Sequence, residues 1–321
     1  MSRGTLGEVI YRVRPAKNVE RKMICEALTS LYRIEPLANY QYVGMGSLEF
    51  HDFALFYRQL GIGTMVSIEK RDTPDEQARV KFNRPYGHIA MAWGPSHERL
   101  PEMSWKKRSI VWLDYDGRVD TEILEDIQLV VSELASGSCL IVTVCGEPLS
   151  VDFKENVGKV RLDKLRRAVG KEKVPEGVKG KDLSDWGLAQ TYRRIIGNEI
   201  ESTLSARNAP LVVEKRFEYT QIFNFHYSDG ATKMVTCGGI IVSKMDQERL
   251  AGLDFEHLSF YRSGAEPYTI KIPRVTVKEA RWLSQIIPYG VGNQTKIPKK
   301  EVRKYMPIHR YFPEFLEVEP V

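Results

Sequence analysis

The chain has 321 residues, 42% hydrophobic and 28% charged, a globular composition with room for one large domain plus additions or for two small ones. Its 47 basic and 42 acidic side chains leave a net charge of +5, which permits a polyanionic partner without demanding one. No apolar run approaches the roughly 20 residues of a membrane helix, and the N-terminal MSRGTLGEVIYRVR has no signal-type apolar run, so the expectation is a cytoplasmic protein with no membrane partner.

The four cysteines (Cys25, Cys139, Cys145 and Cys237) form no CxxC pair and the six histidines are scattered. That pattern excludes a disulfide framework and a cysteine-rich zinc site, and predicts four buried thiols.

Helical spacing of Val19, Met23, Ala27, Leu28 and Leu31 predicts a first helix over 16–33, with Lys17, Arg21 and Lys22 pointing away from that face. Strand and helix then alternate. Strands are predicted at 40–43, 64–69, 88–93, 109–115 and 139–144. Helices are predicted at 48–59, after Asp72-Thr73-Pro74, and after Asp120. The strands are continuous apolar runs, as in a sheet covered by helices on both faces, so the fold class is α/β: a doubly wound, mostly parallel Rossmann-like sheet.

Residues 152–181 are basic, and a long helix is predicted over 183–207. Two β-rich segments then flank Asp229-Gly230, a hairpin signal. Phe217, Tyr219, Phe223, Phe225 and Tyr227 share one parity, which predicts one aromatic face on the first strand of that hairpin. In the Pro-, Lys- and Tyr-rich tail a helix is predicted over 275–288.

Ligands of such sheets bind beyond the carboxyl ends of the strands. After the first strand comes Gly44-Met45-Gly46-Ser47, where glycine permits positive φ or close backbone approach and the following helix N-terminus favours an anion. Glu69 ends the second strand, placed to accept hydrogen bonds from ribose hydroxyls. Together these point to a nucleoside ligand. A dinucleotide fingerprint requires a third glycine where Glu49 stands, which argues against NAD or FAD.

With the glycine motif, Glu69, the fourth strand ending in LDYDG and the terminal hairpin, the sequence resembles class I S-adenosylmethionine-dependent methyltransferases over about 40–243, with an insertion at about 150–210. YVGMGSLEFHDF, SIEK and VWLDYDG are also similar to bacterial O-methyltransferases of unassigned substrate. The resemblance implies S-adenosyl-L-methionine as cofactor. It places Gly44, Gly46 and Ser47 along its methionine part, Glu69 on the ribose, Trp93 and Gly94 near the adenine, and Asp114 at the sulfonium, with Tyr42 a further cofactor-binding candidate. One departure is Tyr42-Val43, where the family often has an acid before the glycines. The implied division is an N-terminal helical extension (1–39), the methyltransferase-like domain (40–243) and a C-terminal extension (244–321).

Asp114 and Asp116 are the expected catalytic carboxylates, since methyl transfer to a hydroxyl needs an aligned acceptor and a proton acceptor. Two carboxylates without a third ligand assign no metal. Some RNA ribose methyltransferases use a Lys-Asp-Lys-Glu set. By that resemblance Lys17 takes the first place and Asp114 the second, with Lys215 and Glu218 as poorly registered partners. Between Lys154 and Asp182 ten basic residues face five acidic ones, so Lys154 to Lys181 is a candidate nucleic-acid contact. The expected function is therefore methyl transfer, most simply to oxygen. The alternative is a partner-dependent or non-catalytic subunit of the same fold that binds nucleic acid through the basic insertion.

Overall fold

A computed structural model describes residues 14–151, 156–287 and 296–313. Helix α1 (Pro15–Thr29) opens with proline in its first turn and passes into a 3-10 turn at Ser30–Arg33, together filling the expected first helix. Its Met23, Ile24 and Leu28 are buried as their spacing requires, but Lys17 and Glu20 are buried as well. The expectation that Lys17 points into solvent is overturned.

Strand β1 (Gln41–Gly44) is followed by α2 (His51–Leu60), β2 (Thr64–Glu69), α3 (Pro74–Asn83), β3 (Ile89–Trp93), β4 (Ser109–Asp114), α4 (Thr121–Glu133) and β5 (Ser138–Cys145). Thr73 Oγ1 accepts the Glu76 N–H at 3.3 Å to start α3, and Asp120 Oδ1 accepts the Ile123 N–H at 3.0 Å to start α4. Helix α2 begins at His51, three residues later than its sequence predicts. Phe50 caps it in the left-handed region (φ 50°) without a side-chain hydrogen bond, so no helix N-terminus abuts Gly46.

Beyond β5 come α5 (Val157–Val169), α6 (Gly187–Asn208) and the hairpin β6 (Phe217–Asp229) and β7 (Thr232–Ser243), with Gly230 at φ 61° in its turn. A short strand, β8 (Tyr268–Ile270), pairs parallel with β6; no sequence signal announced it. Two helices follow, α7 (Val277–Ile286) and α8 (Lys299–Tyr305), the first started by a reciprocal Thr276–Glu279 capping box.

The eight strands form one sheet in the order β3-β2-β1-β4-β5-β7-β6-β8. Strands β1 to β5 are mutually parallel, and β7 enters antiparallel between β5 and β6. This is the expected Rossmann-like, mostly parallel sheet with an antiparallel hairpin after β5, and β8 adds an edge strand beyond that hairpin. One face is covered by α1, α2 and the segments 255–287 and 296–312, through residues such as Met23, Phe56, Phe260 and Tyr305. The other is covered by α4 and α6, through Ile127, Val131, Tyr192 and Ile196.

The single aromatic face expected of β6 does not form. The register with β7 shifts between Gln221 and Phe223, and this bulge reverses the side-chain parity. Phe223, Phe225 and Tyr227 face the α1–α2 layer, while Phe217 and Tyr219 pack into the α4–α6 layer. All four cysteines are buried; burial pushes the Cys25 and Cys237 thiols up to about 12. Among the described residues no helix is long and apolar enough to cross a membrane.

Candidate functional site

Because the strands are parallel, Gly44, Glu69, Trp93, Asp114 and Cys145 all emerge at one edge of the sheet. A cleft of about 290 Å³ opens there, walled by Met45, Ile68, Gly94, Pro95 and Tyr115. Gly94 takes φ 131°, a conformation that side-chain-bearing residues rarely adopt, and its N–H donates to the Glu69 carbonyl at 3.0 Å. Deeper in the wall, Asp126 accepts the Tyr115 hydroxyl at 2.6 Å. Burial raises the Asp126 carboxyl above the usual aspartate range, with the Ser96 and Tyr115 hydrogen bonds opposing the shift.

The glycine turn is held from two directions. Glu69 Oε1 accepts the Ser47 N–H at 2.7 Å and the Ser67 hydroxyl at 2.9 Å, and Ser67 Oγ also accepts the Gly46 N–H at 3.0 Å. Burial raises the Glu69 carboxyl, opposed by these hydrogen bonds. Neither Gly44 nor Gly46 has positive φ; that conformation falls on Ser47 (φ 51°). The glycines are required instead by space. A Cβ on Gly44 would lie 2.4 Å from the Tyr42 hydroxyl, and one on Gly46 2.4 Å from the Phe50 ring. Tyr42 is fully buried, and its hydroxyl donates to the buried carboxyl of Asp52.

On the other side of β4, Trp112 and Asp114 face the α1–α2 layer while Leu113 faces α4 and α6. Here Lys17 Nζ, with no exposed surface, lies 2.7 Å from Asp114 Oδ1, 2.9 Å from Glu20 Oε2 and 3.2 Å from the Tyr227 hydroxyl. It also sits 4.6 Å from the centre of the Trp112 ring. Glu20 is the far end of a directed chain. Trp112 Nε1 can only donate, at 3.0 Å to Thr143 Oγ1, so Thr143 donates to Thr236 at 2.7 Å and Thr236 donates to Glu20. Burial raises the Glu20 carboxyl, with the Lys17 charge opposing it. One carboxylate, Asp114, thus retains a partly exposed side chain (25%) while the ammonium that holds it is sealed from water. Its second oxygen accepts no hydrogen bond among the described residues.

Of the sequence-predicted residues, Lys17 and Asp114 are brought into contact, and Gly94 and Asp116 line the cleft. Tyr42, Gly44, Gly46, Ser47 and Glu69 form the turn between cleft and pair. Trp93 does not line the cleft but packs against the α1–α2 layer. Lys215 and Glu218 lie at the amino end of β6, the opposite edge of the sheet, where Glu218 pairs with Lys244; they cannot complete a set with Lys17 and Asp114. Among the described residues no three His, Cys, Asp or Glu side chains converge as metal ligands. In the basic insertion, Lys154 lies outside the described residues. Arg161 and Lys164 donate to the Leu149 and Ser150 carbonyls, and Arg166 lies 3.9 Å from Asp163.

Sequence reasoning missed Glu20, Tyr227 and Asp126. For Glu20 a signal existed: it lies three residues after Lys17, putting two opposite charges one turn apart beside an apolar stripe.

Comparison with known proteins decides the family. The model described as "Putative O-methyltransferase" matches residues 9–320. The chain belongs to that family. Its membership bears out the methyltransferase reading of the sequence, and the family's span runs from before α1 to beyond α8. No curated protein sequence matches the chain. Among solved structures it is similar to LepI in complex with SAM (12% identity, 63% of this chain, 43% of that one, TM-score 0.33). It is also similar to the O-methyltransferase from Bacillus cereus in complex with SAH (11%, 75% and 92%, 0.38). A third is the O-methyltransferase TomG from Streptomyces achromogenes in complex with SAM (12%, 68% and 78%, 0.35). The chain spans under half the length of the LepI chains it matches.

Proposed function

We propose that this protein transfers a methyl group from S-adenosylmethionine to an oxygen acceptor at the carboxyl edge of β1 and β4. The observation that carries the reading is the contact between the sealed Lys17 ammonium and the partly exposed Asp114 carboxylate beside the glycine turn, with the cleft on the far side of the same strand end. The residues fit the cofactor. Met45, Ile68, Pro95 and Tyr115 offer apolar walls to an adenine, and Glu69 Oε2, which accepts no hydrogen bond among the described residues, is available to a ribose hydroxyl. When bound, the cofactor supplies an electrophilic methyl group on a sulfonium.

Asp114 would take the acceptor's hydroxyl proton through its open oxygen, while the methyl carbon would exchange its bond to sulfur for one to oxygen and leave the cofactor as its neutral thioether. Lys17 fixes the other oxygen, so the carboxylate cannot rotate away from the acceptor. Glu20 and Tyr227 hold Lys17 in turn. Asp116, exposed at the cleft, would lie on the cofactor side rather than beside the acceptor.

The test is calorimetric titration with S-adenosylmethionine, S-adenosylhomocysteine and NAD, followed by labelled-methyl transfer to a panel of hydroxyl acceptors. Binding of the first two, lost in Glu69→Ala, and turnover reduced about 10²–10⁴-fold in Asp114→Asn with cofactor affinity retained, are the expected results. Binding of NAD alone, or full turnover by Asp114→Asn, overturns the assignment.

A further inference from the structure

A second concavity, a groove of about 940 Å³, runs between α1 and α2 and takes no part in the site just described. Its volume lies within the range of small-ligand sites. Asn18, Arg21 and Lys22 line it from α1; His51 and Arg58 line it from α2. Arg21 follows Lys17 by four residues, so the two are neighbours about 5–6 Å apart on one helix face. The groove therefore begins one helical turn from the residue that holds Asp114. Its other wall, α2, starts where the glycine turn ends.

Its charge is unbalanced. Arg21, Lys22 and Arg58 form no ion pair among the described residues, whereas Arg310 at the rim is taken up by Glu26 at 2.9 Å. Arg58 donates only its Nε, to the Tyr86 hydroxyl at 2.9 Å, which leaves its terminal nitrogens open. Arg21 Nε and Asn18 Oδ1 are buried without a hydrogen-bond partner among the described residues. Buried polar atoms are nearly always paired, so two such atoms on the same groove mark a place where something polar is missing. The nearest acid to Arg21 in effect is Asp52, whose carboxyl the guanidinium pulls down against a larger upward push from burial. That carboxyl already accepts the Tyr42 hydroxyl.

We propose that this groove is a separate binding site for a small molecule bearing a carboxylate or phosphate group. Arg21 and Arg58 grip the anion through guanidinium forks, which match either group bidentately. A single concavity gathers these cations, whereas a nucleic-acid track spreads them along a surface.

The experiment titrates the full chain with inorganic pyrophosphate and, separately, with citrate, in wild type, Arg21→Gln and Arg58→Gln. Each protein is also titrated with S-adenosylmethionine and melted as a check on folding. One-to-one binding of at least one anion, weakened about tenfold or more in both variants with cofactor affinity unchanged, is the expected result. Binding of pyrophosphate alone assigns a phosphoryl ligand, and of citrate alone a carboxylate. Arg58 is exposed, so its variant keeps the test decisive even if Arg21→Gln unfolds. Binding of neither anion, or binding indifferent to the variants, overturns the proposal. So does a 20-nucleotide single-stranded RNA that binds through the same arginines far more tightly than either anion. Arginine-dependent anion binding without any cofactor binding would leave the groove standing and remove the methyltransferase reading instead.

Discussion

The Lys17 ammonium reaches from the first turns of α1 to within 2.7 Å of the Asp114 carboxylate at the end of β4, joining residues 97 positions apart. Removing one member of a buried charge cluster leaves the others uncompensated, typically at about 3–5 kcal/mol. Lys17→Met strands the fully buried Glu20 as well as Asp114, so we expect a loss near the lower end of that range, since Asp114 is partly solvated. Glu20→Gln in the Lys17→Met background should recover part of it, because it removes the stranded carboxyl. Urea denaturation of the two variants and the double checks this. Strict additivity would mean that the two side chains do not interact.

Gly44→Ala is predicted to cost about 1–3 kcal/mol, since its Cβ would overlap the Tyr42 hydroxyl within a filled core. The cost should shrink when Tyr42→Phe removes the nearest atom, although ring carbons at 2.7 and 3.0 Å keep the relief partial. Tyr42→Phe alone destabilises too, by depriving Asp52 of its donor. The measurement is therefore a double-mutant cycle, with an expected coupling of about 0.5 kcal/mol or more in the direction of rescue.

These two sites mark how far the sequence could be read. Alternating strands and helices, the Asp120 cap and the Asp229-Gly230 turn are local signals, and the structure repeats them. The glycines were recognisable as a turn, but the reason for them lies in the Tyr42 and Phe50 rings, which only the folded packing brings over the backbone. By helical spacing alone Lys17 reads as a solvated charge, because that spacing reports an apolar stripe and says nothing about a carboxylate on a distant strand; only the resemblance to ribose methyltransferases set Lys17 with Asp114. The bulge in β6 is invisible for a similar reason: one inserted residue reverses parity without changing composition. Strand β8 has only three residues, and its pairing with β6 depends on the intervening chain returning to that edge.

Glu69 makes a separable prediction about structure and binding. Its Oε1 fastens the Ser47 N–H, in a residue held at positive φ, so Glu69→Ala releases the turn. A fall in Tm of about 2–4 °C is expected. Glu69→Gln keeps an acceptor oxygen for that N–H and should melt closer to wild type. If the alanine variant melts like wild type, the carboxylate does not hold the turn, and any binding defect belongs to ligand contact alone.

His226 contributes a pH-dependent term to stability. It is buried (3% exposed), stacked on Trp186 with ring centres 4.8 Å apart, and its Nε2 has no hydrogen-bond partner among the described residues. Burial first, and the Arg193 charge second, lower its pKa from 6.5 to about 4. A histidine shifted this way takes up its proton first in the unfolded chain. Its contribution is complete above about pH 6.5 and is lost progressively as pH falls towards 4, up to about 3 kcal/mol in all. Glu20 and Asp52, raised by burial, act with the opposite sign: their contributions are complete below the ordinary carboxylate range and fall as pH rises through their folded values. The wild-type profile mixes these effects, so the informative quantity is the difference between wild type and His226→Phe, which retains the stacking ring. Urea denaturation from pH 4 to 8 should show the two curves diverging below about pH 6.5, with the variant losing less stability on acidification. Parallel curves over that window would mean that His226 is protonated in the folded protein as readily as in the unfolded chain.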